Sequence, residues 1–373
     1  MALGQTIAEN TAASPRIPTL DGWRAVAIGL VLWHHLMMGF YPSEALYYSS
    51  SVSQLGAFGV DIFFALSGLL ITSLLIQERQ RSGSVSIAGF YVRRAFRILP
   101  PCFVFLGAAT AVVGLRSVWE AVASLLFFRN YLPQQLGSDV TGHLWSLAVE
   151  EHFYLIWPAL FVWAGRKSGA RAAAWLAIAC VLWRVADAQN HISDPWLASV
   201  PTHFRTDLRL DALLWGCAAA FMLQAPKTRK QMHDKIPQWG FWILLVAIVT
   251  GSVIYSQLTA IWLAMFFPIL LILTLLHPAW GISHLLEHRA ARFIGRMSYS
   301  LYLWQQLFLA PGWEPTRWFQ HLPVNIALTF LCAYASYHLI EKPCMRLGRA
   351  WSGRIAARRP SSGINLSPEV CSQ

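Results

Sequence analysis

Residues 56–76 read Gly56-Ala57-Phe58-Gly59-Val60-Asp61-Ile62-Phe63-Phe64-Ala65-Leu66-Ser67-Gly68-Leu69-Leu70-Ile71-Thr72-Ser73-Leu74-Leu75-Ile76. Asp61 is the only charge in this run. The run is long enough to cross the apolar core of a bilayer, which takes roughly 20 residues of helix. Outward from it the pattern recurs. Apolar stretches lie near 24–41, 98–115, 118–132, 143–164, 172–188, 207–225, 239–256, 258–277, 293–311 and 323–340. Hydrophobic residues make up 56% of the 373-residue chain and charged residues 13%. An ordinary soluble domain carries about 25% charged residues and cannot hide so much apolar side chain. The fold class expected is all-α, a polytopic transmembrane bundle.

Charge sets the expected orientation. The net charge is +11, and the cations sit between the apolar runs. They are therefore read as membrane-orienting residues, and no nucleic-acid partner is expected. The 18 Trp suit membrane–water interfaces. The stretch 118–132 is short and contains Glu120 and Arg129. If it does not span and the N-terminus is cytoplasmic, 23 of the 29 Lys and Arg residues fall on the cytoplasmic side. The other six are Arg116, Arg129, Arg184, Arg205, Arg209 and Arg317, on the far side or in the outer half of spans. The expectation is about ten spans, both termini cytoplasmic, and 118–132 as an outer re-entrant or interfacial helix.

The organisation expected is a cytoplasmic N-terminal tail over 1–18, a transmembrane domain over 19–345 and a basic, disordered cytoplasmic tail over 346–373. Residues 1–18 lack an apolar core, so no cleavable signal peptide is expected. The six Cys form no CxxC pair. Neither a disulfide framework nor a metal site is expected.

Ionisable groups inside apolar spans are functional candidates by default. Arg24 and His35 are eleven residues apart, which puts them within about 20° of one helix face and roughly 16 Å apart along the axis. Alone, this reads equally as an inside anchor and a helix-packing imidazole. Arg94 and Arg97 share a face at i, i+3, and guanidinium forks suit phosphate oxygens. Positive-inside anchoring explains them as well. In His143-Leu144-Trp145-Ser146-Leu147-Ala148-Val149-Glu150-Glu151-His152-Phe153-Tyr154 two adjacent carboxylates enter a membrane helix. From the outer edge they reach a depth similar to that of His35. The bland alternative is a buried ion pair. Ser67-Gly68 reads first as a close helix crossing, and Asp61 as an acceptor contact or a backbone cap.

These elements, in this order, resemble the membrane-bound acyltransferase-3 family. Leu20-Asp21-Gly22-Trp23-Arg24 through His35 resembles its Arg, ten residues, His element. Gly59–Gly68 resembles its Phe-Phe-x-x-Ser-Gly segment, and Arg94-Ala95-Phe96-Arg97 its Arg-x-x-Arg. Trp145–Tyr154 resembles its Trp-Ser-Leu-x-x-Glu-Glu element, and Arg209-Leu210-Asp211-Ala212-Leu213 its Arg-x-Asp-Ala-Leu segment. Ser298–Trp304 and Ile340-Glu341-Lys342-Pro343 resemble its closing motifs. The likeness covers about 17–345. Two departures stand out: Gln305 where a His is frequent, and His152 where Gln is frequent.

The resemblance implies an O-acyltransferase of the bacterial cytoplasmic membrane that uses acyl-CoA, usually acetyl-CoA, as donor. The acceptor it implies is a carbohydrate or lipid-linked glycan such as exopolysaccharide, O-antigen or lipo-oligosaccharide. On this reading Arg24, Arg94 and Arg97 bind the donor. His35 is the catalytic base, supported by Glu150 or Glu151. Asp61, Ser67, Trp145, Arg209 and Asp211 serve the acceptor or support the site. The resemblance is to the stand-alone members, and no fused hydrolase-like domain is expected. The alternative class, a transporter or flippase for a glycan or anionic solute, would predict repeated halves. None is visible in the sequence.

Overall fold

The structure is a computed structural model and describes residues 17–41, 43–48, 50–190, 200, 202–254, 259–309 and 317–357. Residues 1–16 and 358–373, with Arg16, Arg358, Arg359 and Cys371, lie outside the described residues. Among the described residues the architecture is all helical.

The opening helix, α1 (Pro18–Met38), starts earlier than its apolar stretch because Pro18 occupies the first turn, where a missing N–H is tolerated. A short α2 (Glu44–Tyr48) leads to α3 (Ser51–Ser82) and α4 (Ile87–Val112). After α5 (Val118–Leu125) and α6 (Asp139–Gly142) comes α7 (Leu144–Asn190). Two apolar stretches merge in α7, which breaks at Gly165 with φ 69° and ψ 176°. Next are α8 (Thr206–Gln224), α9 (Pro226–Lys235), α10 (Gln238–Ile254) and α11 (Thr259–Leu276). The chain closes with α12 (Gly281–Leu286), α13 (Arg289–Arg296), α14 (Ser298–Phe308), α15 (Val324–Ser336), a π-helical turn over Tyr337–Glu341 and α16 (Lys342–Ala357).

The core is largely apolar, but large apolar side chains also cover the outside and several charged groups lie within. Trp163, Trp175, Leu155, Ile156, Ile243, Leu331 and Leu339 face outward, while Asp61, Glu120, Arg205, Arg209, Asp211 and Glu341 are buried. Contiguous exposed apolar surface of this kind suits lipid. Phe58–Ser82, Ile87–Val112 and Ser168–Gln189 are long and apolar enough to cross a membrane. Thr206–Gln224 and Pro226–Lys235, bent by 93°, make a fourth if counted as one broken span. Length and composition alone thus support fewer crossings than the ten read from charge. Several apolar stretches fold as shorter helices, such as Gln238–Gly251 and Ala260–Leu276.

Segment 118–132 is too short to cross. It makes the eight-residue α5 and a 3₁₀ turn at Arg129–Tyr131. Buried Glu120 fastens it by accepting from the N–H of Arg116 (2.7 Å) and of Ser138 (3.1 Å) and from the Thr141 hydroxyl (2.5 Å). One expectation is corrected. The segment from 346 is not a disordered tail throughout, because α16 stays helical to Ala357. Gly348 lets α16 lie directly on Phe96 of α4, and Trp351 packs on the same ring at 5.7 Å.

Helix α3 runs through the centre, packed on α1, α8 and α11, and α8 also packs along α7. The α3–α8 crossing is set by two glycines. A Cβ on Gly68 would lie 1.9 Å from the Leu213 carbonyl oxygen, and one on Gly216 would lie 2.4 Å from that of Ala65. The reading of Ser67-Gly68 as a close crossing point describes this contact.

Candidate active site

Helices α1, α3, α4, α7 and α14 line a cavity that is partly open to the outside, with about 720 Å³ of free space counted out to its mouth. Its walls include Arg24 from α1, Ser67 from α3, Arg94 and Arg97 from α4, Glu150 and Tyr154 from α7, and Tyr302 from α14. The three guanidinium groups are close enough to repel one another. Arg24 pairs with Asp21 at 3.0 Å. Arg94 lies over the Tyr154 ring, 4.5 Å from its centroid. Neither Arg94 nor Arg97 forms an ion pair with a described residue. Neighbouring Arg93 instead turns away to Glu78 at 3.3 Å. Gathering like charges in a partly buried site is unfavourable unless a polyanion offsets it.

A fixed carboxylate faces these cations. Ser67 donates to one oxygen of Glu150 at 2.8 Å, and the Tyr154 hydroxyl donates to the other at 3.0 Å. Ser67 Oγ and the Tyr154 hydroxyl are 2.9 Å apart, closing a triangle. The sequence offered Glu150 and Glu151 together. One residue of helix is a rotation of about 100°, so the two cannot share a direction. Glu150 enters the cavity. Glu151 has one oxygen buried with no hydrogen-bond partner, and its nearest opposite charge is Arg94.

His35 is not in the cavity wall and meets neither carboxylate. Its Nδ1 donates to the Val31 carbonyl at 3.0 Å, one turn back on α1. A carbonyl only accepts, so Nδ1 carries the proton and Nε2 holds the lone pair. The orienting partner expected from an acidic residue is supplied by backbone. Around His35 stand His34, its ring centroid 5.0 Å away, and His143 from the entry to α7. His34 is held by Tyr47, whose hydroxyl lies 2.6 Å from His34 Nδ1.

The remaining candidates are engaged elsewhere in the bundle. Asp61 of α3 and Arg209 of α8 form a buried pair at 2.6 Å, and Arg209 lies 5.6 Å over the Phe64 ring. Asp211 pairs with Arg184 of α7. Trp145 packs on Phe204 at 5.1 Å and on Phe64 at 6.1 Å. The two closing motifs also meet, because Ser300 donates to buried Glu341 at 2.8 Å.

Sequence reasoning left Tyr154 and Tyr302 without a role. Tyr154 carried a signal, since it follows Glu150 by four residues and shares its helix face. Tyr302 carried none. Its place beside Ser146, 2.7 Å away, depends on how α14 docks on α7.

Residues 17–349 match the acyltransferase domain of the acyltransferase-3 family. The chain is 29% identical to a Bacillus subtilis (strain 168) protein named putative peptidoglycan O-acetyltransferase YrhL, over 92% of this chain and 57% of that protein. It is 29% identical to peptidoglycan O-acetyltransferase OatA of Listeria monocytogenes (strain EGD-e), over 89% of this chain and 56% of that protein. A Staphylococcus aureus (strain COL) protein named as a putative O-acetyltransferase is also 29% identical, over 89% and 58% respectively. The chain thus spans somewhat more than half the length of these relatives. No solved structure matches it. With the match running across nearly the whole helical bundle, the chain belongs to the acyltransferase-3 family.

Proposed function

We propose that the chain is an integral membrane O-acyltransferase, using acyl-CoA from the cytoplasm and a hydroxyl of a cell-envelope carbohydrate as acceptor. Acetyl-CoA is the donor we favour, and a peptidoglycan-type glycan, which the relatives' names suggest, is the first acceptor to test. The location we favour is the bacterial cytoplasmic membrane with both termini inside. One observation carries the reading: Arg24, Arg94 and Arg97 converge from two helices on one cavity inside an apolar bundle. Bidentate guanidinium groups suit the phosphates of a nucleotide donor. The acyl arm would then run along α1 towards His35, roughly 16 Å further along the helix.

In the transfer step His35 Nε2 takes the acceptor hydroxyl proton as that oxygen attacks the thioester carbonyl. The new C–O bond forms, the C–S bond breaks, and the imidazolium returns its proton to the departing thiolate. An imidazole with a free lone pair can take a proton and hand it on, as both halves of this exchange require.

The test is purified protein in lipid nanodiscs, given radiolabelled acetyl-CoA and a panel of peptidoglycan fragments and other envelope glycans. Label on a glycan with matching release of free thiol is expected. Absence of covalent acetylation across the panel, with glycan passage across proteoliposomes, would replace this reading with transport.

A further inference from the structure

Acyl transfer through a tetrahedral intermediate needs a hydrogen-bond donor aimed at the developing oxyanion. Two possible donors on α3, the Ser67 hydroxyl and the Gly68 N–H, are both committed elsewhere. The Ser67 hydroxyl donates to Glu150 at 2.8 Å. Gly68 lies in the middle of α3 with its α-carbon face pressed on the Leu213 carbonyl, so its N–H belongs to the helix ladder.

His143 is differently placed. It sits at the turn between α6 and α7 and is 4% exposed. Its ring lies 5.4 Å from Phe105 and 5.1 Å from Tyr302. Tyr302 lines the arginine cavity, and its hydroxyl donates to the His143 backbone carbonyl. His143 also lies within electrostatic range of His35. The Leu303 backbone is within reach of the ring. Even so, neither Nδ1 nor Nε2 of His143 closes a hydrogen bond with a described residue. Burying a ring whose nitrogens close no hydrogen bond is unfavourable. A plain packing role would be filled better by an apolar side chain.

We propose that His143 is a second catalytic imidazole, which donates an N–H to the thioester carbonyl oxygen as it becomes an oxyanion while His35 takes the hydroxyl proton. The inference rests on the acyl-CoA reading above and adds a named oxyanion donor to it. His143 keeps its proton throughout. It gives and receives no electrons, and the C–O and C–S bonds change as already described. Tyr302 then acts as a positioning residue, bracing the His143 backbone between the cavity and the imidazole pair.

The test compares His143→Gln with His143→Met, side chains of similar length of which only Gln offers an N–H. Transfer from labelled acetyl-CoA, donor KM and thermal unfolding are measured on wild type and both variants. Wild-type transfer is the control for the acyl-CoA reading. Its absence overturns that reading and this inference together. With wild type active, His143→Met should lower kcat by about 10²–10³ while donor KM changes by less than about threefold and the unfolding temperature does not fall. His143→Gln should recover at least about tenfold of that loss. A Met variant with near-normal kcat overturns the inference and leaves the acyl-CoA reading standing. So does a Gln variant as slow as Met although equally folded. Should His143→Met unfold, His143→Leu takes its place against Gln under the same criteria.

Discussion

The Ser67 hydroxyl of α3 donates to the Glu150 carboxylate of α7 at 2.8 Å, across 83 residues of sequence. With Tyr154 on the other carboxylate oxygen at 3.0 Å, the acid is held from two helices at once. A hydrogen bond to a charged group contributes about 1.5–3 kcal/mol. Ser67→Ala and Tyr154→Phe should each lower the unfolding temperature in detergent. Because they share Glu150, their effects should not add. Strict additivity in a double-mutant cycle would show that the three groups do not act as one unit.

The guanidinium groups of Arg94 and Arg97 reach the cavity, and neither forms an ion pair with a described residue. Arg94→Ala and Arg97→Ala should each weaken acetyl-CoA binding by about 10- to 100-fold, the equivalent of roughly 1.5–3 kcal/mol. Lysine should restore only part of this, because it lacks the planar fork. Titration calorimetry on protein in nanodiscs measures the constants. An unchanged Kd for both alanine variants would place the donor elsewhere.

His35 presents Nε2 with its lone pair because Nδ1 is fixed on Val31. His35→Ala should reduce transfer by at least the ~10²–10⁴ typical of a lost general base, with protein still folded in the membrane. Near-normal turnover would remove this side chain from the chemistry.

The Asp61–Arg209 pair is 1% and 6% exposed at its side chains. Removing one partner strands the other charge and costs about 3–5 kcal/mol. Asp61→Ala should therefore unfold well below wild type. Adding Arg209→Met should regain much of the loss, since an apolar pair of similar volume is close to neutral. Thermal unfolding of the single and double variants decides it, and a double variant worse than the single one would contradict the account.

Segment 118–132 folds as a short helix and a 3₁₀ turn tied down by Glu120, and the charge pattern predicts the outer side for it. A topology reporter fused after Gly137 should read extracytoplasmic. A cytoplasmic signal would invert every later loop and break the positive-inside bias.

The sequence made some of this legible and hid the rest for physical reasons. Spacing along one helix is visible in a string of letters. The shared face of Arg94 and Arg97 and the Arg24–His35 register could therefore be read directly, as could the crossing at Gly68. Relations between helices depend on their rotation and docking. The choice of Glu150 over Glu151, the Ser300–Glu341 contact and the presence of Tyr302 beside Ser146 all belong to that class. The expected carboxylate beside His35 failed for a related reason. Similar depth in a membrane does not bring two side chains to the same azimuth, and the nearer acceptor was a carbonyl of the same helix. The span count shows the opposite limit. Charge counts address sidedness, whereas helix length addresses crossing. Here apolar stretches such as Gln238–Gly251 and Ala260–Leu276 fold as helices too short for a simple length test.

At the α3–α8 crossing, each glycine slot is filled by a carbonyl of the opposite helix. Two rods seated this way cannot slip lengthwise or roll without collision, so the pair behaves as a keel. If the proposed acyl-CoA donor enters between the helices, the breathing that admits it must come from the planks around the keel, such as α4, which carries Arg94 and Arg97 and is packed on its outer side by α16.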